Sequence, residues 1–240
     1  MHRLFQCAAL AALLLAAAPL AAEAQQTAPL GNGLYVGVDV GAIVPQSVHL
    51  GLNVSGGGET VTASGHLHFD TGVATGIMLG YHVTPVVAVE GNFEYAGFEA
   101  RSASGTFVAT GPIAASLSGT IGVQGRVNTY NGLVNAIWTP LGPAALYGIS
   151  PYIGAGVGFS HHHEELTGIG GVSIGSGLSN DDTAFAANGI IGADFPVIPQ
   201  LTVGARYRLL FINSGSSSTG ILSVGNFFGH VFTANATYHF

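Results

Sequence analysis

The sequence predicts an all-β chain, an eight-stranded antiparallel up-and-down transmembrane β-barrel. Three observations carry this. Only 7% of residues are charged and none is lysine, while mean hydropathy is positive; an ordinary globular domain carries about 25% charged residues. Beyond the N-terminal segment no apolar run approaches the roughly 20 residues of a membrane helix. Apolar residues instead recur at every second position, the period of a strand. Lipid tolerates no unpaired backbone, so a chain too apolar for water and too interrupted for helices must close its strands into a barrel.

The first 24 residues read as a signal peptide. His2 and Arg3 give a basic start, "AALAALLLAAAPLAA" an apolar core, and "AEA" a small-residue cleavage site after Ala24. Cys7 precedes that core, whereas a lipid-acceptor cysteine would follow it. The exported chain then has no cysteine and no disulfide staple. Residues 25–32 form a short N-terminal segment, and 33–240 the barrel.

Eight strands follow in order. "LYVGVDVG" sets Leu34, Val36, Val38 and Val40 on one face against Tyr35, Gly37, Asp39 and Gly41. The second strand spans 70–81. In the third, 86–98, Val87, Val89, Gly91, Phe93 and Tyr95 alternate with Ala88, Glu90, Asn92 and Glu94. The fourth, 123–138, fits with Thr129, Asn131 and Asn135 inward and Tyr130, Val134 and Trp138 outward; Arg126 falls near the rim, on a face the pattern does not assign. Strands at 151–161 and 183–195 come next. "LTVGARYRLL" sets Leu201, Val203, Ala205, Tyr207 and Leu209 against Thr202, Gly204, Arg206 and Arg208. The last, 229–240, sets Phe232, Ala234, Ala236, Tyr238 and Phe240 against Thr233, Asn235, Thr237 and His239.

Connections alternate in length. Those at 82–85, 139–150 and 195–200 are turn-like. Those at 45–69, 99–122, 162–182 and 212–228 are long, rich in Gly, Ser and Thr, and without hydrophobic periodicity, so they read as four mobile extracellular loops. An even strand count returns both termini to the periplasm.

"LYVGVDVG", "GIMLGYHVTP", "PYIGAGVGF", "GARYRLL" and the terminal "YHF", in that order, resemble small eight-stranded outer-membrane barrels of Gram-negative bacteria, of the OmpA/OmpX-like class. The resemblance implies a cell outer-membrane location among lipid and lipopolysaccharide. It also implies a C-terminal signal, Tyr238 and Phe240, read by the barrel-assembly machinery. Unlike full-length OmpA, the chain is expected to end at its barrel, without a peptidoglycan-binding domain.

A soluble barrel would reverse the faces. Its water-facing wall would then carry Gly37, Gly41, Gly154, Gly156, Gly158 and Asn188, with too few ionic groups to solubilise it. The narrow interior of an eight-stranded barrel suits small and polar side chains, and the aliphatic and aromatic set suits lipid. The inward charges Glu90 and Glu94 lie just beyond the first turn, Arg206 and Arg208 just beyond the third. Strands three and seven face each other, so these four, with Asp39, are expected to form a lumen ion-pair cluster.

Chemical motifs are sparse. The glycines of "GAGVGF" (154–159) repeat every second residue, which marks a thin inward stripe rather than the helix-opening fingerprint of a nucleotide site. "HHHEE" (161–165), His66, His68 and His230 gather near the extracellular end. Consecutive strand residues alternate faces, however, so the three histidines do not converge, and no metal site is assigned. A lipid-modifying enzyme needs a serine beside a histidine on the lipid face; Phe232 stands two residues after His230, and Ser160 points inward. The chain is thus read as a monomeric non-enzyme without cofactor, catalytic or metal residues. Its expected role is envelope integrity and surface interaction through a loop ligand. A narrow pore or lateral path is the alternative, and a lipid-modifying enzyme the second. A net charge of −7 argues against nucleic acid.

Overall fold

The computed structural model describes residues 33–240 apart from 57–58, 111–114, 143–147, 170–171 and 214–221. Signal peptide and N-terminal segment lie outside the described residues. Eleven strands run β1 Leu34–Pro45, β2 Val48–Gly56, β3 Glu59–Phe69, β4 Gly72–Thr84, β5 Val87–Thr110, β6 Ala115–Trp138, β7 Ser150–Ile169, β8 Val172–Ile198, β9 Leu201–Ile212, β10 Leu222–Val224 and β11 Phe227–His239. Eight of them, in the order β1-β4-β5-β6-β7-β8-β9-β11, form a ring of antiparallel neighbours. The first and last close it, from Tyr35 opposite His239 to Pro45 opposite Gly229.

Alternation decides which side chain meets which medium. Val38, Ile77, Val134, Val157 and Ile191 all stand outward, with more than half of their surface uncovered by protein. Such a continuous apolar wall is tolerable only against lipid. Tyr238 and Phe240 lie at its periplasmic border, ring centroids 5.1 Å apart. Inward positions are nearly closed: Asp39, Glu90, Glu94 and Arg208 are each no more than 2% exposed.

The interior differs from the small, polar filling anticipated. It is layered. Toward the periplasm lie Tyr35, Ala88, Ile137, Tyr152 and Ile190. The charged layer follows. Above it comes an apolar core that includes Ile43, Phe98, Leu210, Phe227 and Val231. Phe98 stacks on Phe227 at 5.5 Å and meets Phe69 edge-on at 5.3 Å. The glycines make this filling possible. A side chain at Gly80 would overlap the Tyr35 ring, and one at Gly192 the Tyr152 ring.

The segments read as mobile loops also need correction. β2 and β3 form a hairpin inside 45–69; β3 pairs with the upper part of β5, and β10 adds to β2. β5 and β6 have 24 residues each, about 80 Å of strand at 3.4 Å per residue. An apolar band about 25 Å tall, crossed at about 40°, uses less than half of that. β7 and β8, with 20 and 27 residues, also far exceed that length. Outside lipid neither face of a strand needs to be apolar, so the period-two signal disappears while the ladder continues.

Candidate functional site

The charged side chains of the layer come from three strands, β1, β5 and β9. On β5, Glu90 and Glu94 point inward with Asn92 between them; on β9, directly across the ring, stand Arg206 and Arg208. Arg206 grips Glu90 in a fork, Nη1 to Oε1 at 2.7 Å and Nη2 to Oε2 at 3.0 Å. Its Nε donates to the Tyr152 hydroxyl at 3.0 Å, and the guanidinium lies 5.4 Å from that ring's centroid. Arg208 donates through Nη2 to Glu94 Oε2 and, at 3.3 Å, to Asp39 Oδ1; its Nη1 donates to Asn92 Oδ1 at 2.9 Å. The structure therefore brings Asp39, Glu90, Glu94, Arg206 and Arg208 into one layer.

Neutral partners missing from the sequence reading complete it. Tyr35 donates to Glu90 at 3.1 Å, Asn135 to Glu90 at 3.3 Å and Asn131 to Glu94 at 3.2 Å. Asn135 and Asn131 lie directly opposite those glutamates in the β5–β6 pairing. Parity had set these asparagines inward; only the strand register assigns their partners. Two cations stand against these three carboxylates, and a fourth, Asp194, accepts from Asn235 at 3.0 Å nearby; the formal excess is negative, and the neutral donors help to accommodate it.

Other candidates stand apart. The glycine stripe lies inside β7, with no helix after it; a side chain at Gly156 would overlap the Asn135 and Asn188 amide oxygens. Arg126, unassigned by its sequence pattern, stands on the outer wall 3.4 Å from Glu99. His230 faces outward between Tyr207 Oη and Gln46 Nε2, each at 2.8 Å. Ser160 is fully buried inside the barrel, and its hydroxyl has no hydrogen-bond partner among the described residues. His161 and His163 face outward, His162 inward, 4.0 Å from Asp182. His68 bridges Ser47 and Ser104 at 3.0 Å each, and His66 packs on His49 at 5.2 Å. Among the described residues no three ligating groups are gathered around one point.

The family model described as "Outer membrane protein beta-barrel domain" matches residues 7–240. Among solved structures, the chain is similar to Neisserial surface protein A, at 15% identity over 87% of this chain and 97% of that one, TM-score 0.45. OprG from Pseudomonas aeruginosa gives the same figures. Ail, the attachment invasion locus protein of Yersinia pestis, solved with the heparin analogue sucrose octasulfate, is 12% identical over 86% of this chain and 99% of that one, TM-score 0.41. No curated protein matches significantly.

Proposed function

The chain belongs to the outer membrane protein β-barrel family, and from that premise we propose that it is a sealed, non-catalytic barrel that stiffens the envelope and holds a β-sheet platform outside the cell. Its place is the cell outer membrane. The observation that carries the reading is the layered lumen. A forked buried ion pair lies between two apolar layers, and the upper one is closed by Phe69, Phe98 and Phe227. A solute would have to break ion pairs inside a low-dielectric interior, where each stranded charge costs several kcal/mol. Above the membrane, β5–β8 and the β2–β3 hairpin offer an ordered surface for a loop ligand. Tyr238 and Phe240 serve as the signal for the assembly machinery, and lipid with lipopolysaccharide surrounds a monomer.

A second reading, a narrow solute path, is favoured by one seam. Asn188, the Ser160 hydroxyl and the Asn135 amide oxygen face the lumen without protein partners among the described residues. Planar-bilayer recording decides between the two. The sealed reading expects no resolved steps from the purified chain. Steady unitary conductance of the unaltered chain would replace it with the pore.

A further inference from the structure

We propose that His161 and His163 form a binding site for a divalent transition-metal ion, Cu²⁺ foremost, on the outer wall of the barrel's extracellular extension. The two histidines are one residue apart on β7, so both project from the same sheet face. Each ring is already held by one nitrogen. His163 Nδ1 lies 2.6 Å from Asp181 Oδ1 on β8, and His161 Nδ1 lies 2.9 Å from Thr183 Oγ1. Both contacts follow the cross-strand pairing, His161 opposite Thr183 and His163 opposite Asp181.

The carboxylate contact fixes which nitrogen is free on His163, and the hydroxyl contact allows the same on His161. A carboxylate only accepts, so His163 Nδ1 carries the proton and its Nε2 keeps a lone pair. A threonine hydroxyl accepts as readily as it donates, so His161 can take the same tautomer. A ring fixed through Nδ1 to an oxygen, with Nε2 open, is the usual arrangement of a metal-binding histidine. The spacing suits one ion. Same-face side chains two residues apart leave the backbone about 7 Å from each other. Two nitrogens at adjacent corners of a tetragonal Cu²⁺ site, each about 2.0 Å from the ion, stand about 2.8 Å apart. Two imidazole arms leaning together close that difference.

The surroundings favour a cation. Glu164, Glu165, Asp181 and Asp182 lie on the same hairpin, and Arg126, opposite Glu165, is engaged with Glu99. With no third ligand preassembled, the ion takes two ring nitrogens and completes its shell with water. Imidazole ligation and the order of divalent affinities rank Cu²⁺ above Ni²⁺ and Zn²⁺. The His49–His66 pair packs edge to face at 5.2 Å on the β2–β3 hairpin, away from Asp181 and Thr183. It serves as the internal control.

The test is calorimetry on the tag-free chain, folded in detergent, titrated with Cu²⁺ alone in a non-coordinating buffer. Heat-dependent gel mobility checks folding. One ion is expected to bind at micromolar concentration, with nitrogen hyperfine structure in its electron paramagnetic resonance spectrum. His161→Gln/His163→Gln is expected to lose at least tenfold in affinity. Asp181→Asn, which leaves both rings in place, is expected to lose about tenfold through the altered second contact. His49→Ala/His66→Ala should bind as the unaltered chain does. If the double histidine variant does not fold, Asp181→Asn and the single variants decide. Absence of micromolar binding overturns the proposal, as does affinity untouched by substitutions at 161, 163 and 181.

Discussion

Removing one arginine from the lumen should cost far more than removing it together with its partner. Arg206→Met leaves Glu90 fully buried, with only the neutral donors Tyr35 at 3.1 Å and Asn135 at 3.3 Å to hold its charge. Breaking a buried pair from one side costs about 3–5 kcal/mol, while replacing both partners with apolar residues of similar volume is close to neutral. The Arg206→Met/Glu90→Met variant should therefore recover most of the loss, and the cycle should give a coupling of at least about 3 kcal/mol. Urea unfolding in lipid vesicles, followed by the fluorescence of Trp138, measures this; with a slope near 2 kcal/mol/M the single variant shifts the midpoint by about 2 M. A single-variant cost below about 1 kcal/mol would refute the reasoning, because values of that size belong to solvent-exposed pairs. So would strict additivity of the two losses.

Further outcomes are expected elsewhere in the wall. Val157→Arg, on the lipid face, should lower unfolding free energy by about 2–4 kcal/mol if it stands near the midplane, read by the same titration. Gly156→Leu should reduce the heat-resistant folded fraction, since its side chain would meet the Asn135 and Asn188 amides; Gly189→Ala, with open space at its Cβ, should not. Phe240→Ala should slow accumulation of folded barrel in cells and leave the stability of the purified protein within about 0.5 kcal/mol, measured by pulse-chase gels and by urea.

Much of the barrel was legible because lipid and lumen impose opposite demands on alternate residues. Leu34 to Val40 and Phe232 to Phe240 show that alternation plainly, and each forms a closing strand. Parity also set Asn131 and Asn135 inward. The upper apolar core was within reach of the same argument: two residues beyond Glu94, Ala96 gives way to Phe98, and two and four beyond Arg208 stand Leu210 and Ile212. What parity could not give is register. Only the pairing shows Asn135 opposite Glu90 and Asp181 opposite His163. Strands outside the membrane were illegible for a different reason. Residues such as "RSAS" on β5 run beyond the length an apolar band needs, so their backbone ladder leaves no hydropathy trace.

The outward face of each strand is the one that meets acyl chains. A tryptophan placed at Val157 in a Trp138→Phe background reports this directly, through quenching by lipids brominated at mid-chain. Strong quenching by the bromines with protection from aqueous iodide is predicted. A tryptophan quenched by iodide and untouched by brominated lipid would contradict the account.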